Sequence, residues 1–397
     1  MVHLIEPKRL VIINRSFWPV YPVIGEALLR FAEAAVEKGY SVSVVSQNRT
    51  DIQAELKQNH RGAGVSFYQI RALTSNTSHL FLRIFDTIFF TLCTFFILFW
   101  IRPKIIYIST DPPVLVPFSV AVYSKFFRAR YIYHIQDIHP EATNVIIPLK
   151  RWLYNFILKI DVWTMQGAES LITLNHQMKK EILSRATTVG PIYIIFNPAV
   201  SFDNVNTCKP KVRGFSFCGN AGRMQRIPLL LESIEKYLTQ NGRLEFVFAG
   251  GGIYAKALKS YADRFKNFHY LGVVEASHAA QISAHYSWAL LPIEDGVTRY
   301  AFPSKLSSYI CSGANVLAIC GEKTSVAKIV RKHHLGKVVA PNAKSLTSAF
   351  WNIESGDCVG LDATSSRSLL KKKLTFDVFV SAMLNVVNDQ AAKQNAK

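Results

Sequence analysis

Short apolar runs alternate along the chain with longer segments of helical periodicity. An apolar run over 9–14 ends in a polar loop, and a helical pattern over 25–38 and a second apolar run over 41–46 follow it. Further runs, each followed by a polar or proline-containing loop, lie at 105–109, 131–135, 171–174 and 193–196. Strands that alternate with helices in this way predict a parallel sheet covered by helices.

The chain turns polar over 201–213, and a second series of the same kind follows. Its strand patterns alternate with helical ones and lie at 214–218, 244–249, 268–270, 288–292 and 315–319. We therefore predict an α/β protein with two doubly wound, Rossmann-like domains that face a cleft, where ligands bind at the carboxyl ends of the strands. The predicted domains are 1–200 and 214–370. A linker over 201–213 joins them, and a C-terminal helix or tail follows over 371–397.

One apolar run is too long for a strand. Residues 84–101 (IFDTIFFTLCTFFILFWI) reach the length of a membrane span, although Asp86 and three threonines interrupt them. A span would put two parts of one nucleotide-binding fold on opposite sides of a bilayer, so a buried or interfacial helix is expected instead.

Charge supports a membrane surface as a partner. The chain has 46 Lys and Arg against 27 Asp and Glu, a formal charge of +19, and such a field attracts anions. Basic residues flank the apolar run, so segment 80–104 is predicted to associate with an anionic membrane surface. The sequence shows neither a nucleic-acid-binding helix motif nor interleaved aromatic and basic residues, so nucleic acid is not an expected partner.

The cysteines and the N-terminus indicate the compartment. The six cysteines show neither a CxxC pair nor the Cys/His spacing of a metal site. The first residues lack the layout of a signal peptide, so we expect a reducing cytosol.

Two glycine-containing loops of the second half are candidates for binding a nucleotide. The loop over 217–226 contains Gly219, Asn220, Arg223 and Arg226 before a predicted helix, where backbone N–H groups and arginines can meet an anion. A plain glycine-rich turn with solvated arginines has the same pattern. The loop around Gly251 departs from G-x-G-x-x-G, which disfavours a hydride-transferring oxidoreductase; it is either a turn beside a nucleotide base or a turn only.

The strongest local signal is the tripeptide Pro303-Ser304-Lys305. Proline and serine predict a capped helix start, which places Lys305 in the first turn. A cation is unfavourable there unless an anion is bound nearby. We therefore predict that Lys305 holds a phosphate, with a solvated lysine over the helix end as the alternative.

Reactive side chains concentrate after the predicted strand 131–135. His134, Asp137, His139 and Glu141 lie at its end, where carboxylates and imidazoles that face a cleft suit general acid–base chemistry. Each of them alone is also a common loop cap. Asp137 is the first candidate for the catalytic group, followed by His134 and Glu141.

At these motifs the chain resembles the large retaining family of bacterial GT-B glycosyltransferases that build lipopolysaccharide O-antigen, capsule and exopolysaccharide. The matching motifs keep the family's order from about residue 10 to 340: FWP (17–19), GYSV (39–42), TDPP (110–113), DIHPE (137–141), GNAG (219–222), FPSKL (302–306) and SGANV (312–316). The resemblance implies a metal-independent transferase that needs no cofactor and has a UDP- or GDP-linked sugar donor on the second domain. It implies a lipid-linked or oligosaccharide acceptor on the first domain, and a cytoplasmic protein that is peripheral on the inner membrane.

The resemblance also implies roles for individual residues. Arg226 or Arg223 would hold the donor diphosphate with Lys305, and Asp137 would act on the acceptor. The family's paired glutamates are absent, since Tyr300 and Ser308 occupy those positions, which leaves the stereochemical outcome open. Four more residues complete the predicted donor site: Glu294, Asp295, Ser304 and Ser308.

Two other functions remain open. A sugar-nucleotide epimerase can use the same two-domain scaffold, but it needs no lipid acceptor, so the apolar and basic segment 80–104 counts against it. A non-catalytic membrane-binding protein of the GT-B fold is the other.

Overall fold

The computed structural model describes residues 8–74, 80–186, 190–203, 205, 211–356 and 364–395. The chain forms two compact units. The first comprises Met1–Asn197 and Phe376–Lys397, and the second comprises Pro198–Thr375.

A seven-stranded parallel sheet of order β3-β2-β1-β4-β5-β6-β7 forms the centre of the first unit. Its strands are β1 (Arg9–Ile13), β2 (Ser41–Asn48), β3 (Val65–Arg71), β4 (Ile105–Ser109), β5 (Arg130–Ile135), β6 (Ser170–Thr173) and β7 (Ile192–Ile194). The inner strand β1 is apolar and buried after Arg9, as expected of a parallel strand that is covered on both faces. The strand order reverses between β1 and β4, and this is where doubly wound sheets open a crevice for ligands.

Within the described ranges, seven helices connect these strands: α1 (Ile24–Glu37), α2 (Ile52–Gln58), α3 (Leu80–Ile101), α4 (Leu115–Phe127), α5 (Glu141–Ile146), α6 (Arg151–Gly167) and α7 (His176–Arg185). α1 buries Leu28, Phe31 and Ala32 against the sheet. Among the described residues, α3 is the one helix long and apolar enough to cross a membrane, and 22% of its most apolar window is buried.

A six-stranded parallel sheet of order β10-β9-β8-β11-β12-β13 forms the centre of the second unit. Its strands are β8 (Val212–Cys218), β9 (Glu245–Ala249), β10 (Phe268–Tyr270), β11 (Tyr286–Pro292), β12 (Asn315–Ile319) and β13 (Gly336–Val339). Its helices are α8 (Ile227–Thr239), α9 (Ala255–Arg264), α10 (Ala276–His285), α11 (Lys305–Ser312), α12 (Ser325–Lys332), α13 (Ala343–Ser355) and α14 (Thr364–Lys373). Phe215, Phe246 and Phe350 pack ring against ring in its core, with centroids 5.1–5.2 Å apart.

The C-terminal helix α15 (Phe376–Asn395) belongs to the first unit. It buries Phe379, Met383 and Val387 in the same core as α1, and Tyr40 donates a hydrogen bond to Asn388 at 2.8 Å. The predicted tail over 371–397 is therefore divided between the units, because α15 has an apolar face that needs a partner. The units also divide before the predicted linker 201–213, and β8 begins inside that linker.

The predicted fold class is confirmed. Both units are parallel sheets with flanking helices, so the chain is an α/β protein with two doubly wound, Rossmann-like domains.

Candidate functional site

In the second unit, the loops after β8, β9 and β10 are joined at the carboxyl ends of the strands. Gly219 N–H donates to the Ala249 carbonyl at 2.8 Å, and Gly250 N–H donates to the Gly272 carbonyl at 2.6 Å. Gly252 has a φ of +129°, and a Cβ there would lie 2.3 Å from the Ala221 carbonyl oxygen. The loop of Gly251 is therefore a glycine turn that a side chain would disrupt, as its sequence predicts.

Lys305, the first residue of α11, reaches into this turn. Its Nζ lies 3.7 Å from the centre of the Phe217 ring and donates to the Asn220 carbonyl at 3.2 Å. A Cβ on Gly219 would lie 2.6 Å from the Lys305 Cε, so the glycine makes room for the lysine. Lys305 is therefore close to the adjacent residues Gly219 and Asn220, although 85 positions separate Asn220 and Lys305.

The ammonium group of Lys305 faces a backbone carbonyl and an aromatic ring. Among the residues that the structure describes, no carboxylate pairs with it. Partial burial removes water from the charge and lowers the pKa of Lys305 to about 7. A bound anion would restore the charged form, so this position is suited to a phosphate.

The start of α11 differs from its prediction in one respect. Ser304 precedes the helix, but its side chain is exposed and makes no capping hydrogen bond. Its carbonyl instead accepts from Ser307 N–H at 3.2 Å, because the backbone of Ser304 is already helical.

Arg226 and the two predicted acidic residues form one cluster after β11. The guanidinium of Arg226 lies 2.9 Å from a Glu294 oxygen and 3.1 Å from an Asp295 oxygen. The Nε of Arg226 donates to the Ile293 carbonyl at 2.9 Å. Asp295 also accepts from Gly321 N–H at 2.9 Å. The charge of Arg226 is thus balanced by carboxylates, and its contact with a diphosphate stays a prediction.

Arg223 and Ser308 are outside the cluster of Arg226, Glu294 and Asp295. Arg223 is exposed in a short 3-10 turn, and within the described part of the chain it makes no ion pair. Ser308 accepts from Val200 N–H at 3.5 Å. Arg223 is therefore the loop arginine whose charge remains available to a ligand.

In the first unit, three loops meet where β1, β4 and β5 end. Arg15 pairs with Asp111 at 3.0 Å, and Ser16 N–H donates to the same carboxylate at 2.8 Å. The Thr110 hydroxyl accepts from the N–H groups of Gln136 and Asp137, both at 3.2 Å. The TDPP and DIHPE motifs are therefore in contact.

The Asp137 carboxylate has the electrostatics of a proton acceptor. It lies partly buried, and in the described structure its oxygens make no hydrogen bond with another side chain. Burial, together with repulsion from Asp111, raises the pKa of Asp137 to about 6. Such a carboxylate is mostly ionised at neutral pH and is more basic than an ordinary aspartate.

His134 is placed differently from its prediction. It lies inside the core with no exposed surface, its Nδ1 is 2.7 Å from the Tyr107 hydroxyl, and its ring is 6.4 Å from that of Phe379 on α15. Burial lowers its pKa to about 3. Because side chains alternate along β5, His134 points into the core, and this argues against a contact with an acceptor.

Glu141 is also engaged within the protein. Its carboxylate lies 2.6 Å from Arg185, whose other terminal nitrogen pairs with Asp161. Tyr133 donates to Asp161 at 2.9 Å. Sequence reasoning missed this buried network, since its members lie on β5, α5, α6 and α7. The imidazole of His139 lies beside Thr143 at 2.9 Å, so among the predicted groups Asp137 is the one without a side-chain partner.

Similarity to known proteins is distant in sequence and extensive in structure. No family model matches the chain. The probable glycosyltransferase WbjE of Pseudomonas aeruginosa is 23% identical over 258 residues, which cover 61% of this chain and 63% of that protein, less than two thirds of its length.

Solved structures match over nearly the whole chain. Sucrose-phosphate synthase from Thermosynechococcus elongatus has a TM-score of 0.69 at 11% identity, and the match covers 97% of this chain and 100% of that one. Anabaena HepE in complex with UDP and glucose has a TM-score of 0.63 at 13% identity, with 96% and 100% covered. A putative UDP-N-acetylglucosamine 2-epimerase from Listeria monocytogenes has a TM-score of 0.61 at 12% identity, with 98% and 97% covered. The chain has the GT-B fold, and its resemblance to bacterial glycosyltransferases of that fold is confirmed.

Proposed function

We propose that the protein is a glycosyltransferase that moves a sugar from a nucleotide-sugar donor to a membrane-linked glycan or lipid acceptor in bacterial surface polysaccharide synthesis. The similarity to WbjE, a probable glycosyltransferase, supports the transfer reaction. The UDP bound by HepE supports a UDP-linked donor, and the proposal extends to GDP-linked sugars. The proposal includes a cytoplasmic location, peripheral on the inner membrane, and a reaction that needs no metal.

The observation that carries the proposal is the uncompensated Lys305 beside a glycine turn. When the bond between the sugar and the nucleotide breaks, negative charge grows on the leaving diphosphate. Lys305 is positioned to neutralise that charge, and Arg223, in the same loop as Gly219 and Asn220, adds a second cation. The cluster of Arg226, Glu294 and Asp295 offers carboxylate oxygens that can accept from donor hydroxyl groups.

On the acceptor side, Asp137 takes the proton of the acceptor hydroxyl or orients that hydroxyl. The acceptor oxygen forms the new bond to the anomeric carbon, the bond from that carbon to the diphosphate breaks, and the nucleotide leaves with its electrons. The proton passes to the Asp137 carboxylate. The raised pKa of Asp137 suits this step, because a more basic carboxylate accepts a proton more readily.

Changing Lys305→Ala should weaken donor binding by about 10- to 100-fold, because a hydrogen bond between charged groups contributes about 1.5–3 kcal/mol. Isothermal titration with UDP-glucose and a panel of other UDP- and GDP-sugars measures this. Lys328→Ala is the matched control, since Lys328 is an exposed lysine near the start of α12. Equal donor affinity in the Lys305 variant and the parent would reduce Lys305 to a surface residue.

The pH dependence of kcat/KM should have two limbs. Activity should fall as pH decreases through about 6, where Asp137 gains a proton, and as pH rises through about 7, where Lys305 loses one. Burial is the larger cause of the raised pKa of Asp137, and repulsion from Asp111 is the smaller one. Asp111→Asn removes the second cause, so the acid limb alone should move part of the way to lower pH. A profile that is flat between about pH 5 and 8 would contradict both assignments.

An epimerase is the second candidate, because the Listeria protein has the same fold at a comparable TM-score. An epimerase would convert a nucleotide sugar into its isomer without any acceptor. Proton NMR of UDP-N-acetylglucosamine incubated with the protein alone decides this: a new nucleotide sugar favours the epimerase, and an unchanged spectrum favours the transferase.

A further inference from the structure

The helix α3 has the reverse of the usual pattern of a surface helix, because polar residues are buried and apolar residues are exposed. Its fully buried positions recur every four residues and form one stripe, Asp86, Phe90, Thr94 and Leu98. Two of these four are polar, whereas the exposed surface is nearly all apolar and includes Phe81 (86% exposed) and Trp100 (83%). A helix that faces water carries the opposite pattern.

The buried stripe fixes α3 to the first unit. Asp86 accepts hydrogen bonds from the Gln47 amide at 2.9 Å, from Leu73 N–H at 3.1 Å and from the Thr74 hydroxyl at 2.8 Å. A helix that left the unit to span a bilayer would break all three and carry Asp86 into lipid. The helix therefore lies along the protein, with its apolar surface outward.

Two neighbouring helices extend this apolar surface. Phe99 of α3 contacts Phe127 of α4 with ring centroids 5.5 Å apart, and Phe118 of α4 contacts Trp163 of α6 at the same distance. Phe126 on α4 and Trp152 on α6 are 76% and 68% exposed. Most of the exposed large hydrophobic side chains of the described residues lie on these three helices.

The exposed charges of these helices are all positive. They are Arg83, Lys125, Arg151 and Lys159, while the acidic residues of the three helices, Asp86 and Asp161, are buried. Two copies of this surface would bring like charges together, so a homodimer is disfavoured. An apolar surface with basic residues is complementary to an anionic bilayer, into which aromatic side chains insert and with which Lys and Arg pair.

We propose that α3, α4 and α6 together form one docking face that lies in the plane of an anionic phospholipid bilayer. This deepens the membrane part of the proposed function and extends it from the single segment 80–104 to two further helices. In a parallel sheet the connecting helices begin near the carboxyl ends of the strands. Asp137 lies after the carboxyl end of β5, so the first turns of α3, α4 and α6 are on the same side of the sheet as Asp137. A lipid-linked acceptor would then reach Asp137 along the membrane surface.

The test uses α6, because it lies outside the long apolar run. Flotation with vesicles of phosphatidylcholine and phosphatidylglycerol should show binding of the parent protein, weaker binding to phosphatidylcholine alone, and release by alkaline carbonate. In the variant Trp152→Ser/Phe156→Ser, the vesicle partition coefficient should fall about tenfold or more. Phe126→Ser, on α4, should act in the same direction.

The matched control is Leu183→Ser/Leu369→Ser, which removes exposed leucines from α7 and α14 and should leave flotation unchanged. Unchanged flotation of the α6 variant would mean that α3 binds the membrane alone. Retention of the parent protein on the vesicles after alkaline carbonate would mean that α3 spans the bilayer. Either result overturns the proposal. A stable dimer in the absence of lipid that the α6 variant dissociates would also overturn it. Donor affinity for UDP-glucose, measured on the same samples, reports separately on the transferase.

Discussion

The variant Asp137→Asn should lose about 10²–10⁴-fold in turnover, the usual effect of removing a positioned general base. An amide has nearly the shape of the carboxylate but cannot take a proton from the acceptor hydroxyl. Donor affinity should stay the same, because the candidate donor residues lie in the second unit and Asp137 lies in the first. Turnover is measured by nucleotide release at saturating donor, and donor affinity by titration calorimetry.

Asp377→Asn is the matched control, since it changes an exposed carboxylate of the same unit. Turnover of the Asp137 variant within a few-fold of the parent would remove Asp137 from the mechanism. Lost donor affinity would instead indicate that the loop has a structural role. His134 and Glu141 are less suited to act as the general base. His134 is enclosed in the core, and Glu141 is paired with Arg185.

The alternation of strands and helices could be predicted because the inner strands are buried on both faces. The residues of β4 are all buried, and its apolar sequence IIYIS shows this directly. The edge strands β3 and β13 were missed, since each has one neighbouring strand and mostly half-exposed side chains, so polar residues interrupt their patterns. The place of α15 was also missed, because an amphipathic helix does not reveal which unit covers its apolar face.

Local patterns located the glycine turn and the helix that begins at Lys305. The structure brings Gly219 and Lys305 together, and their contact with a sugar donor stays a prediction. The partners of Arg226 and Glu141 lie 69 and 44 residues away, and sequence spacing alone does not reveal such pairs. Sequence reasoning did not show on which side of β5 the His134 side chain lies. Successive side chains of a strand point to opposite faces, and that of His134 points into the core.

The apolar run of α3 shows a further limit of sequence patterns. Its composition predicts a helix in contact with lipid or core, but hydropathy does not distinguish a span from a helix that lies along a membrane. Asp86 favours the second arrangement in our proposal, because its three hydrogen bonds attach the helix to the first unit. A single polar residue in an apolar helix is therefore more informative here than the apolar residues around it.

The variant Arg185→Met should destabilise the first unit by about 3–5 kcal/mol at pH 7, because it leaves two buried carboxylates without their cation. The side chains of Arg185, Glu141 and Asp161 are 10%, 11% and 2% exposed. Burial already raises the pKa of Asp161 to about 6 although Arg185 lowers it, so removing the arginine should raise it further. The free energy of unfolding is measured by urea denaturation, followed by far-UV circular dichroism.

The pH dependence of the Arg185→Met variant distinguishes lost charge pairing from lost packing. Carboxylates whose folded-state pKa lies above the unfolded value bind more protons when folded, so stability falls as pH rises from the unfolded pKa through the folded one. The deficit of Arg185→Met should therefore shrink at about pH 5, and adding Asp161→Asn should recover part of it at pH 7. Arg331→Met is the matched control, since Arg331 pairs with Glu322 at the surface and its loss should cost less than about 1 kcal/mol. A deficit in Arg185→Met no larger than that of Arg331→Met would mean that the buried network does not stabilise the fold.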